Sequence, residues 1–505
     1  MSESTAPAGS SRPDRPVRTR FAPSPTGDLH VGNVRTGLYA WAYARHTKGE
    51  FVLRIEDTDR SRVNDQAIEW AMESLRWLGL DWDEGPDIGG PYGPYLSSRR
   101  LDLYHEWAER FRAEGKAYHC YCTQEELDAE RESQKAKGRP PGYSGRCRNL
   151  TREQVAAFEA EGRQPVLRFR MPEGSTVVHD TIRGDITFDH ANIPDFVIMR
   201  ANGYPLYNLA VSVDDVLMKI THIVRGDDLL SSTPRQIAIY RAMGVAEEDI
   251  PVFTHQPYVL GADGKPLSKR FGSSSISWYR EEGYLPEAVV NYLALLGWSP
   301  GGDREELSID ELVELFDLNR VGKTAARLDE KKLDAINGDK IRALSTEDFV
   351  ERTIPFLQKA GLVGDEPTAE QHALITNAAP LIQERLVKLT EAVDMLGFLL
   401  VDDAAFTVDP DSAARVLTED ARPVLEAARD ALAALPSWER EPIEQALRKA
   451  LIEDLGRKPK HAFGPVRVAV SGRRISPPLF ESLELLGRER TLGRIDRALE
   501  REVGA

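Results

Sequence analysis

Strand-like and helix-like segments alternate from Arg18 to about Glu114, and this order restricts the fold more than any other feature of the chain. The segments are V-R-T-R-F-A, an apolar-periodic run over Val34 to His46, F-V-L-R-I-E, and A-I-E-W-A-M-E-S-L-R-W-L. A β-α-β-α order predicts a parallel sheet with right-handed crossovers.

The alternation is interrupted between about Cys120 and Arg200. This stretch holds a charged helical segment, a Gly/Pro-rich loop and the short strand-like pieces V-L-R-F-R-M, T-V-V-H-D and D-I-T-F-D. The α/β pattern resumes at Y-N-L-A-V-S-V-D-D and T-H-I-V-R-G-D-D, and helical patterns dominate after about Ser275. We therefore predict a nucleotide-binding α/β domain that is split by an insertion and whose two parts meet in space.

The length and composition indicate a multidomain cytoplasmic protein. A chain of 505 residues is too long for one hydrophobic core, and about three to five domains are expected. No apolar run is long enough to cross a bilayer, and the Ser-, Pro- and Arg-rich start lacks the apolar centre of a signal peptide, so no membrane partner is expected. The net charge of −16 does not exclude a nucleic-acid partner, because 65 Lys and Arg residues can form a local basic face.

The loop after the first predicted strand, F-A-P-S-P-T-G-D-L-H-V-G-N, has the composition of a phosphate-binding turn. A helix N-terminus that follows such a turn presents free N–H groups and the positive end of a dipole. Gly27 and Gly32 would allow close approach of a nucleotide, and His30 and Asn33 would face its phosphates. The alternative is a proline-stiffened loop with an incidental histidine.

A second segment, L-G-A-D-G-K-P-L-S-K-R-F-G, places Lys265, Lys269 and Arg270 around Ser268. Cations on such a loop can stabilise the charge that develops when the α-phosphate of a nucleotide is attacked. Alone, a basic loop is more often a solvated face, and Ser268 could be a loop cap. The combination of this segment with the first loop favours nucleotide chemistry.

The two segments carry a family resemblance. H-V-G-N and P-L-S-K-R resemble the HIGH and KMSKS signatures of class I aminoacyl-tRNA synthetases. The fuller strings around them, with R-I-E-D-T-D, D-E-G-P-D-I-G-G-P-Y-G-P-Y and Y-N-L-A-V-S-V-D-D, resemble bacterial-type glutamyl-tRNA synthetases from about Arg18 to the C-terminus. The chain departs from the signatures at Asn33, in place of the second His, and at Pro266, in place of the first Lys.

The resemblance implies an α/β fold: a split Rossmann-type nucleotide-binding domain with an acceptor-binding insertion, then an α-helical stem-contact region and all-α anticodon-binding domains. The expected ranges are a disordered leader at 1–17, the first Rossmann half at 18–115, the insertion at 116–205, the second Rossmann half at 206–260, the KMSKS-type loop and stem-contact domain at 261–340, and helical anticodon-binding parts at 341–400 and 401–505.

The implied reaction has two steps. The glutamate α-carboxylate attacks the α-phosphate of ATP, and the terminal ribose hydroxyl of tRNA then takes the acyl group from the adenylate. Such chemistry needs positioning and charge stabilisation, with Mg²⁺ on the leaving pyrophosphate, and no protein nucleophile. The residues expected to be catalytic are His30, Lys269 and Arg270, and those expected to bind ATP are His30, Gly32, Asn33, Ser268 and Lys269.

Glutamate differs from glutamine by charge and not by shape, so the site should present buried cations. The resemblance assigns the side-chain carboxylate to Arg20 and Arg225. Without the resemblance, Arg20 could be a strand-end arginine in solvent, and Arg225 could pair with Asp227 or Asp228. The complete set of expected glutamate-binding residues is Arg20, Ala22, Ser24, Glu56, Tyr207 and Arg225, with Glu56 receiving the substrate ammonium and not acting with Asp57 as a paired-carboxylate site.

Three cysteines, Cys120, Cys122 and Cys147, argue against a disulfide framework and suggest a metal site in the insertion. A structural Zn²⁺ needs a fourth ligand. Some relatives have a His two residues after the last Cys, where this chain has Asn149, and others have a Tyr-x-x-x-Cys arrangement, which Tyr143 matches. The alternative is three reduced, partly buried cysteines.

For tRNA, the resemblance implies that the insertion grips the acceptor end and the helical C-terminal half reaches the anticodon. The candidate tRNA-binding residues are Arg385, Lys458, Lys460 and Arg473. The expected partners are tRNA(Glu), L-glutamate and ATP, with tRNA(Gln) as a second candidate, and the chain is expected to be a monomer. The rival interpretations are a glutaminyl or a truncated glutamyl-queuosine enzyme, an inactive tRNA-binding paralogue, and a small nucleotidyltransferase.

Overall fold

The computed structural model describes residues 15–59, 63–138, 141–265 and 275–501. Over these residues the chain divides into two compact units. One contains the described residues up to Trp278 together with Val289–Asp329, and the other contains Tyr279–Ala288 and the described residues from Glu330 onward. Within those ranges, no helix is both long and apolar enough to cross a membrane.

The strands are short. They are β1 (Arg18–Phe21), β2 (Glu50–Leu53), β3 (Ala117–Cys120), β4 (Val166–Phe169), β5 (Ser175–Asp180), β6 (Gly184–Asp189), β7 (Phe196–Met199), β8 (His222–Gly226), β9 (Val252–Gln256), β10 (Val259–Leu260) and β11 (Ala326–Arg327).

Helices account for most of the remaining regular structure. They are α1 (Val31–His46), α2 (Asp65–Trp77), α3 (Leu101–Ala113), α4 (Gln124–Ala136), α5 (Arg152–Ala160), α6 (Tyr207–Leu217), α7 (Thr233–Ala242), α8 (Ile276–Glu281), α9 (Pro286–Leu295), α10 (Ile309–Leu315), α11 (Glu330–Ala343), α12 (Thr346–Lys359), α13 (Ala369–Ile382), α14 (Glu391–Leu400), α15 (Pro410–Val416), α16 (Arg422–Ala433), α17 (Arg440–Arg448), α18 (Pro459–Ser471), α19 (Leu479–Leu486) and α20 (Arg488–Arg501).

The first unit is built on two parallel strand pairs, which belong to two separate sheets. β1 pairs with β2 and β8 pairs with β9, both in parallel register, and the Thr221 N–H donates to the Arg18 carbonyl at 2.9 Å beside β1 and β8. α1 packs against β1, β2 and β8. It can do so because Val34, Leu38 and Ala42 recur at helical spacing and are fully buried. The α/β fold predicted from the strand and helix order is confirmed, with parallel pairing in β1–β2 and β8–β9.

Part of the 116–205 stretch joins the sheet of β8 and β9. β3, β4 and β7 form a separate antiparallel sheet, whereas β5 and β6 form a hairpin in which β5 runs parallel to β9, with Asp180 opposite Phe253. The strands therefore continue in the order β6-β5-β9-β8. Consequently, a hairpin that the sequence places inside the insertion contributes its end residue, Asp180, to the neighbourhood of β9.

The second unit is helical from α11 to α20. Amphipathic helices supply its core, and α16 contributes Val424, Leu425, Ala428 and Leu432 from one face. Arg494 on α20 is also buried, and its guanidinium donates to the carbonyls of Val470 at 2.7 Å and Phe398 at 2.9 Å. This unit provides the all-helical C-terminal part that the sequence predicted.

Candidate functional site

A cavity of about 730 Å³ opens at the carboxyl ends of β1, β8 and β9. Ligands of open α/β sheets bind at this edge, and the volume is that of a typical small-molecule site. The structure brings nine of the predicted residues to its walls: Arg20, Ala22, Ser24, His30, Gly32, Asn33, Glu56, Tyr207 and Arg225.

His30 lines this cavity and caps the N-terminus of α1. Its Nδ1 accepts hydrogen bonds from the backbone N–H groups of Gly32 at 3.1 Å and Asn33 at 3.4 Å. Because Nδ1 is an acceptor, the neutral imidazole carries its proton on Nε2. A Cβ on Gly32 would lie 3.1 Å from Cε1 and 3.2 Å from Nδ1 of this ring, so only glycine fits there without moving the histidine.

The cationic residues predicted on the second loop, Ser268, Lys269 and Arg270, lie outside the described residues. Residues described before and after that segment contact the cavity or its wall. Val259 lines the cavity, and Ser275 forms an antiparallel bridge with His30. Asp28 accepts hydrogen bonds from the hydroxyls of Ser275 and Ser277, the latter at 2.6 Å, which ties this part of the chain to the first loop.

Arg225 is 3% exposed and is the next-to-last residue of β8, beside the cavity. Its guanidinium donates to Nε2 of His255 at 3.0 Å, Oε1 of Gln236 at 2.8 Å and Oγ1 of Thr233 at 2.8 Å. Longer contacts of 3.4 Å reach the Tyr207 hydroxyl and the Leu229 carbonyl.

The alternative ion pair with Asp227 or Asp228 is not what the structure contains. Asp227 instead accepts hydrogen bonds from Arg183. Within the described part of the chain, Arg225 has no carboxylate within ion-pair distance.

Arg20 is in a different electrostatic situation. It is 4% exposed, so it is not a solvated strand end, and its Nε lies 3.2 Å from Oδ1 of the fully buried Asp215. The same carboxylate accepts from Nη1 of Arg54 at 2.9 Å. Burial alone would raise the pKa of Asp215, but the positive charges of Arg20 and Arg54 outweigh it and lower that pKa.

Glu56 faces the cavity, with a side chain 14% exposed and 3.4 Å from Nη2 of Arg54. Burial raises its pKa, although the charges of Arg54 and Arg20 act in the opposite direction. Asp57 serves another purpose, because its carboxylate accepts from the Ser98 N–H at 2.7 Å and the Ser98 hydroxyl at 2.5 Å. The two adjacent acids therefore point to different partners and do not form a paired-carboxylate site.

Sequence reasoning missed the groups behind the two arginines. Asp214 and Asp215 lie on the buried side of α6, and His255 and Gln236 are both fully buried. A signal was present for the aspartates, because two adjacent acids end an otherwise apolar run in Y-N-L-A-V-S-V-D-D. Nothing in the local sequence marks His255 or Gln236 as neighbours of Arg225.

The three cysteines form one cluster. The Sγ atoms of Cys120, Cys122 and Cys147 all lie within 4.8 Å of one another. Tyr143 is their neighbour, with its hydroxyl 3.5 Å from Cys120 Sγ and accepting from the Cys147 N–H at 2.9 Å. Burial raises the pKa of Tyr143, so its phenolate would form only against a strong compensating charge. The donor set fits three positions of a tetrahedral Zn²⁺, and the Tyr143 phenol is a candidate for the fourth.

The predicted tRNA-binding residues all lie in the helical unit, at separate places. Lys458 is the N-cap of α18 and Lys460 lies in its first turn, whereas Arg473 follows its C-terminal end. A helix of 13 residues is about 20 Å long, so the two ends cannot contact one nucleotide. Arg385 ends a short 3-10 turn after α13, and Arg473 contacts Asp394 at 2.8 Å.

Comparison with known families matches both units. Residues 16–335 match the catalytic domain of the class I tRNA synthetases (E and Q), and residues 348–499 match an anticodon binding domain. The fold and the motifs thus define a class I aminoacyl-tRNA synthetase.

Similar proteins with known names identify a narrower family within this class. The chain is 53% identical over 499 residues to the glutamate–tRNA ligase of Saccharopolyspora erythraea, which covers 98% of each chain. It is 52% identical over 486 residues to that of a Nocardioides species, which covers 96% of this chain and 98% of the relative. The crystal structure of a glutamate tRNA ligase from Elizabethkingia meningosepticum, in complex with its amino acid, aligns with a TM-score of 0.82 at 33% identity over 96% of this chain and 99% of that one. The chain belongs to the glutamate–tRNA ligase family, and the family predicted from the motifs is confirmed.

Proposed function

We propose that this chain activates L-glutamate with ATP and transfers the glutamyl group to the 3′ end of tRNA(Glu). The observation that carries the amino-acid choice is Arg225, a buried guanidinium at the cavity with only neutral partners among the described residues. A ligand that brings a carboxylate supplies its missing counter-charge. A neutral amide cannot, and leaving a buried charge unpaired costs about 3 to 5 kcal/mol, or on the order of 10² to 10³ in selectivity.

The N-terminus of α1 is the proposed phosphate site. The Nε2–H of His30 would donate to a phosphate oxygen, while Nδ1 keeps the ring fixed on the helix end. Gly32 and Asn33 complete this wall, and Lys269, Arg270 and Ser268 are proposed to contact the triphosphate. ATP brings Mg²⁺ on its phosphates. The residues of the chain bind, orient and stabilise charge, and the glutamate carboxylate is itself the nucleophile.

Around the amino acid, Arg20 and Arg225 would hold the side-chain carboxylate, with Ala22, Ser24 and Tyr207 lining the pocket. Glu56 would receive the ammonium. A buried carboxylate whose pKa is raised by burial gains most from a cation placed against it, so the substrate's own charge favours the ionised form of Glu56.

A structural Zn²⁺ is proposed in the 116–205 region. Cys120, Cys122 and Cys147 would hold it, and Tyr143 or a water molecule would complete the tetrahedron. Such an ion would fix the end of β3 to the loop around Cys147 and would take no part in the reaction.

The anticodon-binding residues are proposals on separate parts of the helical unit. Lys458 and Lys460 place positive charge at the N-terminal end of α18, where N–H groups also favour an anion, so we assign them to the tRNA backbone. Arg385 and Arg473 are assigned to the anticodon region. We also propose that the chain acts as a monomer in the cytoplasm, where its tRNA and ATP are found.

The experiment that tests the proposal is ATP–pyrophosphate exchange in the presence of tRNA, with glutamate and glutamine as alternative amino acids. Glutamate-dependent exchange supports it, and no exchange with either amino acid indicates an inactive tRNA-binding paralogue. Exchange that prefers glutamine would contradict the role of Arg225. Charging of separately purified tRNA(Glu) and tRNA(Gln) then tests whether tRNA(Gln) is also a substrate.

A further inference from the structure

The two arginines proposed to bind the glutamate side chain differ in the charge of their protein partners. Arg20 forms an ion pair with the buried carboxylate of Asp215. Arg225 is held by an amide, a hydroxyl and an imidazole, which each accept a hydrogen bond without contributing a negative charge. We define the Arg225 cage as Gln236, Thr233 and His255, all of which are fully buried.

Each member of the cage can accept from Arg225 because its own hydrogen-bonding pattern is fixed. The Gln236 amide donates through Nε2 to Oδ1 of Asn208 at 3.3 Å, which points its Oε1 at Arg225. An amide held in this orientation presents its oxygen, and not its nitrogen, to the guanidinium.

The imidazole of His255 is fixed in the same way. Nδ1 of His255 lies 2.7 Å from Oδ2 of Asp180, the last residue of β5, and the backbone N–H of His255 donates to the same oxygen at 2.9 Å. With the proton on Nδ1, Nε2 is left as the acceptor for Arg225. Burial and then the charge of Arg225 lower the pKa of His255, against the opposing effects of Asp180 and Asp227, which agrees with an Nε2 that accepts from Arg225.

The Asp180 carboxylate does not take over as the counter-ion. One imidazole ring separates it from Arg225, and its other oxygen accepts from the backbone N–H groups of Ile182 at 2.9 Å and Arg183 at 2.7 Å. The Asp180 carboxylate therefore accepts four hydrogen bonds, two from His255 and one each from the backbone of Ile182 and Arg183, and none from Arg225.

We propose that the Arg225 cage determines amino-acid specificity: Gln236, Thr233 and His255 hold the guanidinium in place and leave its charge uncompensated, so that the substrate's side-chain carboxylate becomes its counter-ion. These three are specificity-determining positioning residues, which act through Arg225 and touch no substrate. The inference rests on the proposed function and explains how that site prefers glutamate to glutamine.

The decisive comparison is Gln236→Glu with Gln236→Met. The glutamate variant has nearly the shape of glutamine and keeps an oxygen for Arg225, but it adds the counter-charge. The methionine variant removes the hydrogen bond and adds no charge. Two carboxylates that share one guanidinium repel each other, and we expect Gln236→Glu to raise the KM for glutamate on the order of 10²-fold, with the KM for ATP unchanged. Gln236→Met should raise it by less than about tenfold.

Specificity gives a second measurement on the same proteins. In ATP–pyrophosphate exchange, the ratio of kcat/KM for glutamate to that for glutamine should fall in Gln236→Glu and stay closer to wild type in Gln236→Met. If the cage serves only to position Arg225, the ratio should fall more in Gln236→Met than in Gln236→Glu, because Gln236→Glu keeps the hydrogen bond to Arg225. That order, or an unchanged ratio in Gln236→Glu, would overturn the inference.

A further pair keeps the test available if Gln236→Glu does not fold, as judged by its thermal unfolding. Thr233→Val removes the hydroxyl that accepts from Arg225 with little change of shape. Its matched control is Thr254→Val on β9, whose buried hydroxyl has no hydrogen-bond partner among the described residues. We expect Thr233→Val to raise the KM for glutamate by about three- to tenfold, and Thr254→Val to leave it unchanged. Equal behaviour of the two variants would contradict the inference.

The outcomes separate this inference from the function on which it rests. Wild-type protein without glutamate-dependent exchange would overturn the proposed function, and the inference with it. Wild-type protein that activates glutamate, with variants that leave its KM and specificity unchanged, would overturn the inference alone.

Discussion

Replacing Asp215 by Asn tests the buried charge cluster on which the site is built. Asp215 is fully buried and accepts from Arg54 at 2.9 Å, Arg20 at 3.2 Å and the Tyr240 hydroxyl at 3.3 Å. The side chain of Asn keeps one acceptor and the same shape but removes the charge. Arg54, which is fully buried, would then depend on longer contacts with other carboxylates.

The expected loss of stability in Asp215→Asn follows from the burial of the ion pairs that Asp215 forms. Removing one partner of a buried ion pair costs about 3 to 5 kcal/mol, because the remaining charge is left uncompensated away from water. We therefore expect the free energy of unfolding to fall by that amount in denaturant titrations followed by tryptophan fluorescence. The matched control is Asp128→Asn, which breaks an exposed pair with Arg131 and should cost less than about 1 kcal/mol.

The contribution of Asp215 to the free energy of unfolding should depend on pH in a definite direction. The folded-state pKa of Asp215 is lowered by Arg20 and Arg54 against the effect of burial, so its contribution is complete above the unfolded value of about 3.9 and is lost as the pH falls through the lower folded value. The stability difference between wild type and Asp215→Asn should therefore be constant near neutral pH and shrink below about pH 4. A loss no larger than that of Asp128→Asn, or a difference that grows in acid, would refute the reasoning.

Three further predictions concern the site and the cysteine cluster. Arg225→Gln should lower kcat/KM for glutamate by about 10² to 10³ and change the KM for ATP little, measured by ATP–pyrophosphate exchange; equal losses for both substrates would contradict its role. Gly32→Ala should raise the KM for ATP by about tenfold with the KM for glutamate unchanged, because the added methyl displaces the His30 ring, and an unaltered KM for ATP would contradict this. Gently purified wild type should contain about one zinc per chain and Cys120→Ser less than about a tenth, by atomic absorption, whereas a wild type below a tenth would remove the site.

The motifs allowed much of the catalytic unit to be predicted, because they lie where consecutive residues decide the structure. A strand, a glycine-bearing turn and a helix N-terminus follow one another over Phe21–Asn33, so His30 and Gly32 could be assigned to a phosphate site from local order alone. The family and the activity class that these motifs predicted are confirmed by the relatives. The individual site residues and the domain ranges stay predictions.

The sequence by itself determined the order of the elements, the two phosphate-type segments and the family, since each depends on residues that are neighbours in the chain. Only the tertiary structure decided which charges are compensated. Arg20 meets Asp215 from 195 residues away, and Asp180 reaches His255 across 75. The electrostatic state of a buried group is set by whatever surrounds it in space, and no local pattern could show that one arginine of the site is neutralised by an aspartate while the other is left for a ligand.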